Sequence, residues 1–215
     1  MNRYRVWDAP TRLFHWLLVG LIAAQYLSGE FHLLPMRWHY WLGYATLALL
    51  LFRLVWGVVG SQTSRFVNFL RGPAEALRYL SEKPPSIGHN PIGGWSVLVL
   101  LASCLLQAIS GLATSDDIDE FGPLCGHLSD AWVTRLTAVH AWNRYVLLAL
   151  IGAHVIAVLM YWRAGNNLIA PMLHGNKVLA DDPQLRFVRW RRAVIVATIC
   201  AAIVAAFIGW AGKTA

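Results

Sequence analysis

Apolar residues in this chain fall into five long runs, and polar residues collect between them. The runs cover residues 13–29, 38–60, 95–114, 136–162 and 193–210. A helix needs roughly 20 residues to cross a bilayer core, and the first run extends back to about residue 9 with Pro10 in its opening turn. Lipid offers backbone groups no partner, so runs of this kind predict helices. Asp8 precedes the first run as an N-cap. In "GHNP", Asn90 caps the third and Pro91 takes its first helical position. "GPAEALRYLSEKPP" predicts a short interfacial helix begun by Pro73, with Ala74, Leu77 and Leu80 on one face and Arg78 and Glu82 turned away. The expected fold is all-α and membrane-embedded. A four-helix transmembrane bundle fills residues 1–178, with spans at about 9–29, 38–60, 95–114 and 136–162. A basic segment and a fifth transmembrane helix, at about 193–210, fill residues 179–215.

Composition agrees with that pattern. The chain is 57% hydrophobic and 13% charged, where a soluble domain carries about 25% charged residues. A net charge of +7 invites a nucleic-acid partner, but its distribution excludes one. With the N-terminus cytoplasmic, Arg37, Arg135 and Lys213 fall on the outer side, together with the acidic stretch Asp116–Glu120. Arg144 falls inside a span, and the other fourteen of the 18 Lys and Arg, Lys83 among them, fall on the inner side or at inner span ends. The positive-inside rule therefore predicts N-in, C-out. Read as a signal peptide, the first run would be cleaved and His15 lost; the span reading keeps it. Cys104, Cys125 and Cys200 form no disulfide framework, and no CxxC or CxxCH occurs.

Candidate chemistry lies in the histidines. Ionisable residues inside spans are rare and usually functional. His15 sits near the inner end of the first span, His39 at the outer end of the second, and His140 and His154 within the fourth. His154 lies fourteen residues beyond His140. At a helical rise of about 1.5 Å per residue that is about 21 Å further in, and the turn falls about 40° short of four full turns, so both rings share a face. Two depth-matched pairs result: His39 with His140 outside, and His15 with His154 inside. Imidazoles from two helices at one depth can clamp a haem iron on both axial sides, a site that helix bundles commonly build. A proton relay would need intramembrane carboxylates, which these spans almost lack. Arg144 follows His140 by one turn, and a haem propionate would supply its anionic partner. Arg53 reads as a snorkelling anchor. His32, His89, His127 and His174 read as interfacial hydrogen-bonding groups, with His89 and His174 as minor candidates for a quinone pocket. Trp16, Trp38, Trp41, Trp56, Trp95, Trp132, Trp162 and Trp210 lie near span ends, where aromatic belts form.

"VWDAPTRLFHWLL", "WHYWLGYATLALLLFRLVWGVVG", "GPAEALRYLSEKPPSIGHNPIGG" and "VHAWNRYVLLALIGAHV" together resemble the bacterial cytochrome b561 family, in particular its branch of b-type cytochrome subunits of nickel–iron hydrogenases. The resemblance covers about residues 5–178. It implies two haem b groups, with His15 and His154 as axial ligands of the inner one and His39 and His140 of the outer one. It implies electron transfer in the bacterial inner membrane between a periplasmic redox protein, hydrogenase-like or a cytochrome c, and membrane quinone. The acidic outer loop and Glu30 would suit a basic partner surface. Whether the chain is an electron-transfer subunit or a quinone-linked oxidoreductase stays open, as does a homodimer. Two other readings compete: a stand-alone superoxide:quinone oxidoreductase, which relatives exemplify, and a haem-free scaffold or transporter. The fifth span departs from the four-helix pattern, either packing as a lipid-facing helix or recruiting a partner.

Overall fold

The polar start of the chain forms a strand, β1 (Asn2–Arg5), before the first helix, α1 (Ala9–Gly29). Then follow α2 (Met36–Val59), the single turn α3 (Phe66–Phe69), α4 (Pro73–Glu82), α5 (Pro91–Gly111), α6 (Asp130–Arg163), α7 (Ile169–His174), β2 (Asn176–Leu179) and α8 (Trp190–Ala211). These elements come from a computed structural model, which describes residues 2–82 and 86–212 and, at Leu80, the backbone only. Lys83 and Lys213 of the charge count lie outside the described residues. Pro73 and Pro91 stand at the starts of α4 and α5, as their position-specific preference predicts. The Asn90 side chain accepts from the Gly93 amide at 2.7 Å. That bond completes the expected cap. α6 begins earlier than the apolar run, because Asp130 sits well in a first turn.

Among the described residues, α2, α5, α6 and α8 are long and apolar enough to cross a membrane. α1 has 21 residues, but Arg12, His15 and Gln25 interrupt its apolar run. Only 6% of the most apolar stretch of α6 is buried in the protein. Trp142, Ile156 and Met160 project from it, an apolar surface that suits lipid contact.

The chain makes two compact units, each gathered from separate stretches. The first combines Met1–His15, Arg53–Leu100 and Leu150–Val196. Here the all-α expectation needs correction, since β1 pairs antiparallel with β2, Asn2 opposite Leu179 and Arg5 opposite Asn176. Gly175, at φ +89°, ends α7 and turns the chain into β2. Its carbonyl accepts from the amides of Val6 and Trp7. A Cβ on Gly175 would lie 2.9 Å from the Trp7 carbonyl oxygen. Backbone angle and space both demand glycine there.

The fully buried Asp8 carboxylate organises this unit. Its Oδ1 accepts from the Thr11 amide at 2.9 Å, and its Oδ2 from Trp56 Nε1 at 3.1 Å and Ser64 Oγ at 3.3 Å. Trp56 is therefore no belt residue: it is wholly buried, with its N–H satisfied inside.

The second unit combines Trp16–Phe52, Leu101–Ala149 and Ala197–Ala215. Gln25 of α1 donates to Thr46 of α2, and Tyr26 of α1 donates its hydroxyl to the Arg144 carbonyl of α6 at 2.6 Å. In the acidic loop the Asp116 carboxylate accepts from the amides of Ile118, Asp119 and Glu120. Those amide bonds, that of Glu120 foremost, hold the Asp116 carboxyl below the usual carboxylate range.

Candidate functional site

Each unit brings one predicted histidine pair together. In the first, His15 of α1 and His154 of α6 have ring centres 6.4 Å apart and planes inclined by 53°. In the second, His39 of α2 and His140 of α6 also stand 6.4 Å apart, with planes at 82°.

The spacing discriminates between explanations. A direct N···N hydrogen bond of about 3 Å, with about 1.2 Å from nitrogen to centre in each ring, would place the centres about 5.4 Å apart. A metal held between imidazoles at about 2 Å on either side sets them about 6.4 Å apart, whatever the twist between the rings. Among the described residues no group of three His, Cys, Asp or Glu could hold a metal. A pair fills two of six positions, so the fitting group is a metal that brings four ligands of its own, as haem does.

Proton placement in the second pair leaves the correct nitrogen free. His140 Nδ1 is 2.9 Å from the Gln107 carbonyl oxygen. That oxygen can only accept, so Nδ1 carries the proton and Nε2 the lone pair. His39 Nδ1 is 3.1 Å from Ser28 Oγ, whose hydroxyl donates to the Gln25 carbonyl. The Ser28 oxygen is thus the acceptor and His39 Nδ1 the donor, with the Gln25 carbonyl as a further acceptor. Such bonds orient a ligating imidazole and strengthen it as a donor.

Glycines make room for both rings. A Cβ on Gly29 would lie 2.7 Å from His39 Cε1, and one on Gly111 2.8 Å from His140 Cε1. A cavity of about 440 Å³ opens beside this pair, lined among others by Gln25, Tyr40, Gln107 and Arg144.

A buried network with no signature along the chain holds His140 in place. Asn143 donates to the Ser103 carbonyl at 3.0 Å and to Gln107 Oε1 at 2.8 Å, and accepts from Ser103 Oγ at 3.1 Å. Gln107 Nε2 donates to the His140 carbonyl at 3.1 Å. Replacing Asn143 with leucine removes the donor to two buried acceptors, a cost of about 2 kcal/mol. Thermal unfolding in detergent, followed by circular dichroism, should show a lower midpoint; an unchanged one would refute this role.

Arg144, expected near a propionate, lines the cavity and bonds through Nη1 to the Glu30 carboxylate and through Nη2 to the Tyr145 hydroxyl. Glu30 thereby already has a cationic partner. Arg53 corrects the snorkelling expectation. It is 2% exposed, with its guanidinium 4.7 Å from the Phe66 ring centre and 5.9 Å from that of Phe14.

His89 also differs from expectation: it packs edge-on to Trp7 at 4.8 Å and against Phe69 at 4.5 Å. Burial pushes its pKa down to about 3, with Arg53 and His154 adding to the effect. The imidazole is therefore neutral at physiological pH. The other three histidines make hydrogen bonds as expected. His32 Nδ1 meets the Glu30 carbonyl, His174 Nδ1 accepts from the Asn176 amide, and His127 Nε2 meets the Ala211 carbonyl.

The comparisons with known proteins point the same way. The family described as Prokaryotic cytochrome b561 matches residues 6–175. Two curated relatives are each named Probable Ni/Fe-hydrogenase 1 B-type cytochrome subunit, one from Escherichia coli strain K12 and one from Escherichia coli O157:H7. Each is 26% identical over 185 residues, covering 70% of this chain and 78% of the relative. No solved structure matches the chain significantly.

Proposed function

The chain belongs to the prokaryotic cytochrome b561 family, and on that premise we propose that it is a dihaem b-type cytochrome of the bacterial inner membrane, carrying electrons between a periplasmic redox protein and quinone. The carrying observation is the equal 6.4 Å spacing of both histidine pairs. His15 and His154 would hold one haem, and His39 and His140 the other. A bound haem would supply a one-electron iron couple, whose potential the histidines that hold it would help set.

The chain's residues supply the rest. The Gln107 carbonyl and the Ser28 hydroxyl hold the Nδ1 protons of His140 and His39, so Nε2 stays directed to ligation. Gly29 and Gly111 let both rings lie close against neighbouring helices. Arg144 lines the cavity as a propionate contact and shares its charge with Glu30.

The basic excess of the inner segments supports an N-in orientation, with the His39 pair toward the periplasm. α1 and α8 complete five spans. The names of the relatives support a hydrogenase-like partner, which the acidic loop at Asp116–Glu120 would meet through a basic surface. Glu30, Asp116 and Glu120 line the cavity, which weighs against an anionic substrate such as superoxide.

The test is haem stoichiometry of the purified full-length protein, by pyridine haemochrome assay with a reduced-minus-oxidised spectrum. Two b haems per chain with a six-coordinate spectrum are expected. One haem would remove transmembrane transfer through this chain, and none, after expression with haem available, would remove the cytochrome reading.

A further inference from the structure

Among the described residues of the first unit, Arg53 Nη1 and His89 Nδ1 are shielded polar atoms without a hydrogen-bond partner. They come from different segments, α2 and the turn before α5, and they belong to one neighbourhood. The Arg53 guanidinium lies 4.7 Å from the Phe66 ring centre, the Phe66 ring 5.7 Å from that of Phe69, and the Phe69 ring 4.5 Å from that of His89. Arg53 lies against Phe14, the residue before His15. Its position on α2 repeats the spacing on α6: Arg53 follows His39 by fourteen residues, as His154 follows His140.

The local carboxylate does not answer for the unpaired donor. Asp8 acts on Arg53 electrostatically, yet its oxygens accept from Thr11, Trp56 and Ser64. A buried guanidinium with an unused N–H is expensive unless an acceptor arrives. A planar fork of donors suits a carboxylate. His89 adds a neutral N–H donor if Nδ1 carries its proton.

We infer that Arg53 and His89 together bind a carboxylate of the haem held by His15 and His154, Arg53 through Nη1 and His89 through Nδ1. The inference rests on the haem reading above. It makes Arg53 a cofactor-binding residue and a determinant of one haem's potential, and leaves the other haem alone. Removing a fixed positive charge beside an iron disfavours the reduced state, and an unpaired carboxylate in a low-dielectric site tends to take up a proton when that state forms.

The experiment is a spectroscopic redox titration of the full-length protein in detergent, wild type against Arg53→Gln and Arg53→Lys, at several pH values. In Arg53→Gln one of the two potentials should fall and gain a pH dependence that the wild type lacks, while the other stays put. Arg53→Lys should restore most of the potential. Two haems per chain with both potentials unmoved, or both moved together, would overturn the inference and leave the haem reading standing. A wild type without haem would remove the haem reading itself. If Arg53→Gln loses haem, reduced-minus-oxidised infrared spectra of Arg53→Lys and wild type with haem carboxylates labelled in carbon-13 decide. Labelled carboxylate bands that shift on substitution support the contact, and unshifted bands refute it.

Discussion

Replacing His140 with alanine is expected to halve the haem content, from two b haems per chain to one, and to leave the remaining haem six-coordinate. The partner of His140 across the 6.4 Å gap is His39, so His39→Ala should remove the same haem. The double variant His39→Ala, His140→Ala should lose no more than either single one. That non-additivity is the signature of two groups acting as a unit. His15→Ala and His154→Ala should form a second such set. Combining one change from each set, as in His140→Ala with His154→Ala, should give a colourless protein. Pyridine haemochrome assays on the purified variants read all of this. Retention of two haems in His140→Ala would refute the ligand assignment, and so would loss of both haems from the His39→Ala, His140→Ala protein while it stays folded.

Asp8→Ala should produce the largest loss of stability in the chain outside the histidines. The substitution removes an N-cap, worth about 1 kcal/mol. It also strands the Trp56 and Ser64 donors in a buried site, at about 1–3 kcal/mol each. The expected cost is therefore about 3–7 kcal/mol. Asp8→Asn keeps an acceptor oxygen and most of the shape, so it should cost less than half as much. Chemical unfolding of both variants in mixed micelles, followed by tryptophan fluorescence, measures the difference. Equal and small effects would mean that water replaces the carboxylate and that Asp8 does not organise the unit.

Much of this could be read along the chain, and the reasons are physical. Lipid removes every backbone alternative to the helix, so long apolar runs map directly onto α2, α5, α6 and α8. The two pairings of His15 with His154 and His39 with His140 were legible because helical rise converts residue number into depth and angle. Caps were legible at Asp8 and Asn90, where side chain and neighbouring amide are three residues apart.

What failed shares one cause, dependence on a partner remote in sequence. Trp56 and Arg53 look like interfacial residues until Asp8, Phe14 and Phe66 enclose them. The Asn143 network joins α5 to α6 through residues 36 and 40 positions apart. Either polar side chain, read alone, is ordinary in a span of this length.

The pairing of β1 with β2 has a consequence for how the chain is made. Asn2–Arg5 are translated well before their partners at Asn176–Leu179, which come about 170 residues later. At about 5–20 residues per second, the early strand waits roughly 10–35 s for its mate. The sheet can close only once α6 has been synthesised, and it can do so before α8 is complete. Closure of this two-stranded clasp is thus a late checkpoint in biogenesis, reached when the helices that carry all four histidines already exist.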